Sequence, residues 1–196
     1  MSAHLNSRSQ RRRSRRPRGY SMAELLVTVA VLGILSAVVL NGIGVREWQR
    51  RKVNAVAVEL NGWLESVRRS ALKGTGCQVT IQTNASAVAG TVIASAAPVT
   101  TTTLPNTCMS EQPLRILANS GGDRYAIQAD PATFSFTPRG TARGLPNGNH
   151  GDLEITISLN GQPPMRCVQL SSPLGLIRVG FSETTVSGSC TYPGLF

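Results

Sequence analysis

Arg18-Gly19-Tyr20-Ser21-Met22-Ala23-Glu24-Leu25-Leu26 opens a stretch that runs on to Val45 without another charge, and its reading decides the fold. The uncharged part, Leu25 to Val45 (LLVTVAVLGILSAVVLNGIGV), is 21 residues long. As a helix rising about 1.5 Å per residue, it has the length of a bilayer core. Upstream, between Arg8 and Arg18, lie seven arginines and no acid. Such a run cannot bury a core and reads as a solvated tail. Arginines placed before an apolar span stay on the cytoplasmic side and send the C-terminal bulk across.

The same arginines explain the chain's charge. The 196 residues carry a formal +10, a value that by itself would suggest nucleic acid or an anionic surface as partner. Without everything through Gly19, 13 Lys and Arg remain against 10 Asp and Glu, so the rest is only mildly basic. Three ordinary explanations compete for the apolar segment: a secretory signal peptide, a plain signal anchor, and a twin-arginine signal suggested by Ser14-Arg15-Arg16. A secretory signal has a shorter apolar region followed by a small-residue cleavage site, whereas here an amphipathic stretch follows directly. Glu24 separates the other readings, because a carboxylate at the edge of a spanning helix needs a partner.

These residues resemble the class III signal of type IV pilins and type II secretion pseudopilins. The resemblance implies that a prepilin peptidase cuts after Gly19 on the cytoplasmic side and methylates the new N-terminus at Tyr20. It makes Glu24 the fifth residue of the mature chain. The first mature residue of this family is commonly Phe or Met, and Tyr20 is a conservative departure. Cleavage would create a cationic amine at Tyr20, and in a helical stack this amine can meet the Glu24 carboxylate of a neighbouring subunit in a low-dielectric medium. The alternative is a Glu24 that snorkels to the interface unpaired. The implied partners are the peptidase, other pilins or pseudopilins, the inner-membrane assembly platform and the membrane itself. The implied location is the bacterial inner membrane, single-pass with a cytoplasmic N-terminus, and then a periplasmic or surface filament.

After the span, Val53, Val56, Leu60, Leu64, Val67 and Ala71 recur at spacings of three and four, which predicts an amphipathic helix ending near Lys73 before Gly74. Asn41-Gly42 and Gly44 interrupt the run between the two halves, and either a bend or close helix packing fits them. Trp63 reads as core. From Cys77 onward, short runs rich in Val, Ile, Thr and Phe alternate with turn residues. We expect strands at Cys77–Thr83, Leu114–Ala118, Tyr125–Ala129, Thr133–Thr137, Leu153–Leu159, Arg166–Leu170 and Ile177–Gly180. Leu153, Ile155, Ile157 and Leu159 share one face, which should meet the helix Val53–Ala71. The Ala- and Thr-rich stretch from Asn84 to Thr107 fits an extra hairpin or a surface loop.

The expected fold is therefore α+β: a long N-terminal helix of pilin type packed on a C-terminal antiparallel β-sheet head. Its parts are a basic leader (1–19), a hydrophobic transmembrane and assembly helix (20–45), an amphipathic helix (46–74) and an extracytoplasmic head (75–196). Phe134-Ser135-Phe136-Thr137-Pro138-Arg139-Gly140-Thr141, then Leu153–Leu159, then Arg166-Cys167-Val168-Gln169-Leu170-Ser171 resemble the GspH/FimT subgroup of minor pseudopilins and minor pilins. Some FimT-like members carry a Gly-Arg-x-Arg element associated with DNA binding during uptake. Here it reads Gly175-Leu176-Ile177-Arg178, so Arg178 is the one arginine left, and fewer cations mean fewer phosphate contacts.

Cys77, Cys108, Cys167 and Cys190 all lie beyond the span, on the side where disulfides persist. Four cysteines allow three connectivities. Pairing Cys77 with Cys108 and Cys167 with Cys190 is preferred because it closes the flanking loops. A metal site is the competing reading, but no Cys-x-x-Cys pair occurs and His4 and His150 are distant in sequence. No nucleophile motif, phosphate loop or metal-ligand helix is present, so we expect neither an enzyme nor a cofactor. Asp123, Asp130 and Asp152 read as turn residues. The function expected is a minor pilin or pseudopilin subunit. The alternatives are a DNA-binding minor pilin and a simple signal-anchored extracytoplasmic protein.

Overall fold

A stripe of apolar side chains on a helix must find an apolar surface, and in this chain two sheets supply it. A computed structural model describes residues 20–42, 44–74, 76–99, 108–109, 112–117, 122–188 and 190–193. It divides into two compact units, up to Gly42 and from Ile43 onward. The first holds helix α1 (Met22–Gly42). Its described side chains, Met22 to Ala37, are all exposed, and a helix apolar on every side belongs in apolar surroundings. The junction around Asn41-Gly42 and Ile43, where a bend or close packing was expected, lies outside the described side chains.

The second unit begins with helix α2 (Gly44–Ala71), which buries Val53, Val56, Ala57, Leu60, Trp63, Leu64, Val67 and Ala71. It stops two residues short of the expected Lys73. The Lys73 N–H donates to the Ser70 carbonyl and the Gly74 N–H to the Ala71 carbonyl, so the last turn tightens into three-residue bonds. Trp63 is core, and its indole N–H donates to the Gln112 carbonyl at 2.9 Å.

Ten strands follow: β1 (Cys77–Ile81), β2 (Asn84–Ala87), β3 (Val92–Pro98), β4 (Leu114–Arg115), β5 (Tyr125–Ala129), β6 (Thr133–Phe136), β7 (Ala142–Arg143), β8 (Leu153–Leu159), β9 (Gln162–Ser171) and β10 (Leu176–Ser182). They form two antiparallel sheets, ordered β4-β3-β1-β6-β7 and β10-β9-β8-β5-β2. Helix α2 packs on β8, β9 and β10 of the second sheet and also reaches β1 and β6 of the first. Leu153, Ile155, Ile157 and Leu159 share one core with the α2 stripe, together with Val79, Phe134, Phe136, Val168 and Leu170. Truncating Leu64, fully buried here, belongs to the class of changes that cost about 2–5 kcal/mol.

The segment from Asn84 is neither a simple hairpin nor a loop. Its two strands join different sheets: β2 pairs with β5, while β3 lies between β1 and β4. Gly90 turns the chain between them at φ +83°. Residues 100–107 lie outside the described residues. Strand β9 starts four residues before the expected Arg166. The Asn160-Gly161 turn has positive φ at both residues (54° and 64°), the geometry of a two-residue hairpin. Its register shifts between the Ser158–Met165 and Leu159–Gln162 pairs, so Pro163 and Pro164 fall in a bulge where they withhold no ladder bond.

One end of the fold is locked by an arginine. The Arg68 side chain of α2 donates from Nε to the Gly140 carbonyl (3.0 Å) and from Nη2 to the Leu174 carbonyl (3.1 Å), bridging the β6–β7 and β9–β10 turns. The Ala142 N–H donates to the Pro173 carbonyl at 3.1 Å. Gly175, at φ +66°, lies so close that an added Cβ would stand 2.8 Å from the Gly140 carbonyl oxygen.

Two outcomes follow for the full chain in detergent. Gly175→Ala pushes a methyl against backbone at a positive φ and lowers unfolding stability by about 1–3 kcal/mol. Arg68→Met leaves the part-buried Gly140 carbonyl without its donor, while the exposed Leu174 carbonyl turns to water, and costs about 0.5–1.5 kcal/mol. Chemical denaturation measures both. Glu59 of α2 is half-buried, and loss of hydration raises its pKa above the ordinary 4.5. The folded state therefore holds that proton more tightly, and stability falls as pH rises from 4.5 through the raised value. Glu59→Gln should raise the melting temperature at neutral pH, with the gain vanishing below pH 4.5.

Candidate functional site

A helix start leaves backbone N–H groups without partners, and at α1 the side chains that answer them are Ser21 and Glu24. The Ser21 N–H donates to Glu24 Oε2 at 3.0 Å, and the Glu24 N–H donates to Ser21 Oγ at 3.4 Å. This reciprocal pair is a capping box, carried by the Ser-x-x-Glu spacing of residues 21 to 24. An acid in the first turn also complements the helix dipole. Glu24 thus has a task within its own chain that the charge argument overlooked, and Ser21 is a residue that argument missed. The signal was present, because Ser-x-x-Glu ahead of an apolar run is a helix-start signature.

The two uses of Glu24 are compatible. An ionised carboxylate has two acceptor oxygens, and the cap engages one of them. Both members of the capping box lie after Gly19, so removal of residues through Gly19 would leave it whole. Tyr20 is exposed and precedes the helix. Gly19 lies outside the described residues. Among the described residues, no helix is long and apolar enough to cross a membrane. The α1 side chains described end at Ala37, well short of Val45 in the uncharged run.

In the second unit, Cys77 is joined to Cys108 and Cys167 to Cys190. The first bridge ties β1 to the chain before β4. The second ties β9 to the C-terminal tail, which Thr191 pairs to Phe181 through two backbone bonds. The Tyr192 hydroxyl donates to Glu154 at 2.6 Å; burial, then that carboxylate, push its pKa above the phenolic range. Glu154 lies near the Cys167 and Cys190 sulfurs, but both sulfurs are committed to a disulfide and are poor metal donors in that state.

Arg178 is exposed on β10, where its neighbour across the ladder is Gln169. Gly175, its companion in the candidate DNA element, is occupied by close packing against Gly140. Arg166 has the opposite environment. It is 5% exposed on the α2 side of β9, paired with Glu183 at 3.2 Å and bonded to Asn54 Oδ1 at 3.4 Å. Arg50 reaches the same Glu183 carboxylate at 3.2 Å. Nearby, Lys52 pairs with Asp123 and stands over the Trp48 ring. These contacts fasten the start of α2 to the sheet and its loops, and they give Asp123, expected as a turn residue, an ion pair with Lys52.

Residues 14–40 match the family described as the prokaryotic N-terminal methylation motif, so the chain carries a prepilin-type N-terminal segment. Two crystal forms of the type IV minor pilin FimU from Pseudomonas aeruginosa are similar to the chain. One is 18% identical with a TM-score of 0.42, covering 64% of this chain and 90% of FimU. The other is 17% identical with a TM-score of 0.44, covering 74% and 94%. Likenesses this distant carry no argument about function. No curated protein matches the chain.

Proposed function

We propose that the chain is a minor pilin or pseudopilin: prepilin peptidase removes the leader after Gly19, the Tyr20 amine is methylated, and the helix from Met22 serves first in the membrane and then in a filament. The observation that carries this reading is the methylation motif over residues 14–40, which takes in Arg15, Arg16 and Arg18 at the end of the arginine cluster, the Gly19-Tyr20 junction and Glu24. The uncharged run from Leu25 to Val45 supports a single membrane pass, with the arginines holding the N-terminus in the cytoplasm. The head would then lie outside the cytoplasm, where both disulfides persist.

The chemistry asked of Glu24 is recognition rather than catalysis. A methylated amine stays cationic, and in an apolar stack it is costly unless it meets a carboxylate. The Glu24 oxygen outside the capping box is the acceptor that a neighbouring Tyr20 amine would use. Register follows, because the pair forms only when one subunit is displaced by a fixed step along its neighbour. Other pilins and the inner-membrane assembly platform are the partners this role requires.

Glu24→Gln retains an acceptor for the Ser21 N–H but removes the charge, whereas Ser21→Ala removes the hydroxyl half of the cap and leaves the charge. Membrane insertion should survive both changes. Recovery of the subunit in sheared or purified filaments should fall strongly for Glu24→Gln and stay near wild type for Ser21→Ala. Equal recovery of Glu24→Gln and wild type would reject the charge-pairing role.

A further inference from the structure

The β6–β7 turn and strand β7 carry two guanidinium groups that no described residue answers. Arg139 and Arg143 are both exposed, and neither side chain has a hydrogen bond or ion pair among the described residues. Gly140, at φ +77°, makes the turn possible. The Thr137 N–H donates to the Thr141 carbonyl (2.9 Å) and the Gly140 N–H to the Thr137 carbonyl (2.8 Å), so the backbone between the two arginines is fixed. Arg68 holds the Gly140 carbonyl from behind and adds a third cation nearby.

Arg139, Arg143, Thr137 and Thr141 line a pocket of about 620 Å³. A second pocket of about 430 Å³ shares Thr137, Pro138 and Arg143 with the first and adds the exposed apolar side chain of Val99. Neither wall contains an acid among the described residues. Volumes of this size are those of small-molecule sites. The hydroxyls add a donor. Thr137 Oγ1 and Thr141 Oγ1 are 2.7 Å apart and share one hydrogen, and the Arg139 N–H donates to Thr137 Oγ1 at 3.3 Å. Whichever threonine donates to the other, one hydroxyl hydrogen is left for an incoming oxygen.

We infer that this double pocket binds a small phosphomonoester, its phosphate held by Arg139, Arg143 and the threonine pair and its apolar body lying toward Val99 and Pro138. Guanidinium forks match phosphate oxygens, and charge-assisted bonds of this kind are the strong ones. The apolar half explains why an inorganic anion alone would use only part of the site. No described residue of α1, nor Arg178, lines either pocket, so the site stands whether or not the chain assembles into filaments.

Phenyl phosphate, inorganic phosphate and phenol, titrated into the full chain in detergent with calorimetric readout, test this. Phenyl phosphate should bind saturably, more tightly than inorganic phosphate, and more weakly as salt rises; phenol should not bind measurably. Arg143→Gln and Arg139→Gln, both at exposed positions, should each weaken phenyl phosphate by about tenfold or more. Arg178→Gln, an exposed arginine elsewhere, should leave it unchanged, and unaltered melting temperatures exclude misfolding. Equal weakening by Arg178→Gln, or no weakening by the other two, overturns the site. So does salt-dependent binding of duplex DNA with no response to phenyl phosphate, which would mark a diffuse polyanion surface instead.

Discussion

Helix α2 offers one apolar stripe to two sheets at once. An isolated helix with its charge on the remaining faces gains little from forming in water, so most of its stability must come from that shared face. Val53, Leu60, Leu64 and Val67 are sealed between β8 and β9 on one sheet and β1 and β6 on the other. The polar locks at its two ends act on geometry this burial has already set. Arg166 and Arg50 meet Glu183 near the start of α2, and Arg68 ties the turns near its end. Arg166 is the costliest of these to disturb, because removing Glu183 would strand a buried cation.

Periodicity made the main elements legible. The three- and four-residue spacing of the α2 stripe and the alternation of Leu153 through Leu159 each report a face pressed against apolar neighbours, and both proved to be core. Strands β2 and β3 were less readable, because Asn84-Ala85-Ser86-Ala87 and Val92–Pro98 are built largely from small residues with little preference for strands. Their burial depends on partners far away in sequence. Prolines hid the start of β9, since a bulge that tolerates Pro163 and Pro164 is a property of the pairing with β8. Arg68 and Arg166 gave no sequence signal. An arginine aimed at carbonyls and one on the surface look alike until the turns around them are placed.

The N-terminal site shows a related limit of reading residues by charge alone. Glu24 drew notice as an acid beside an apolar helix, yet its immediate partner is the backbone of Ser21. The same carboxylate can start a helix and remain available to a cation from outside, because a cap occupies one oxygen. The Phe134 to Thr141 motif behaves similarly. Phe134 and Phe136 meet edge to face at 5.6 Å inside the core, while Thr137, Arg139 and Thr141 face a pocket on the outside. Structure and surface chemistry are interleaved along eight residues.

The central claim is that the working protein begins at Tyr20 with a methylated amine. Intact mass and N-terminal peptide mapping of the chain recovered from bacterial membranes test it most directly. The account predicts a mature chain starting at Tyr20, one methyl group heavier than its sequence, with none of the arginine-rich leader attached. A membrane form that retains Gly19 or begins at any other residue contradicts it.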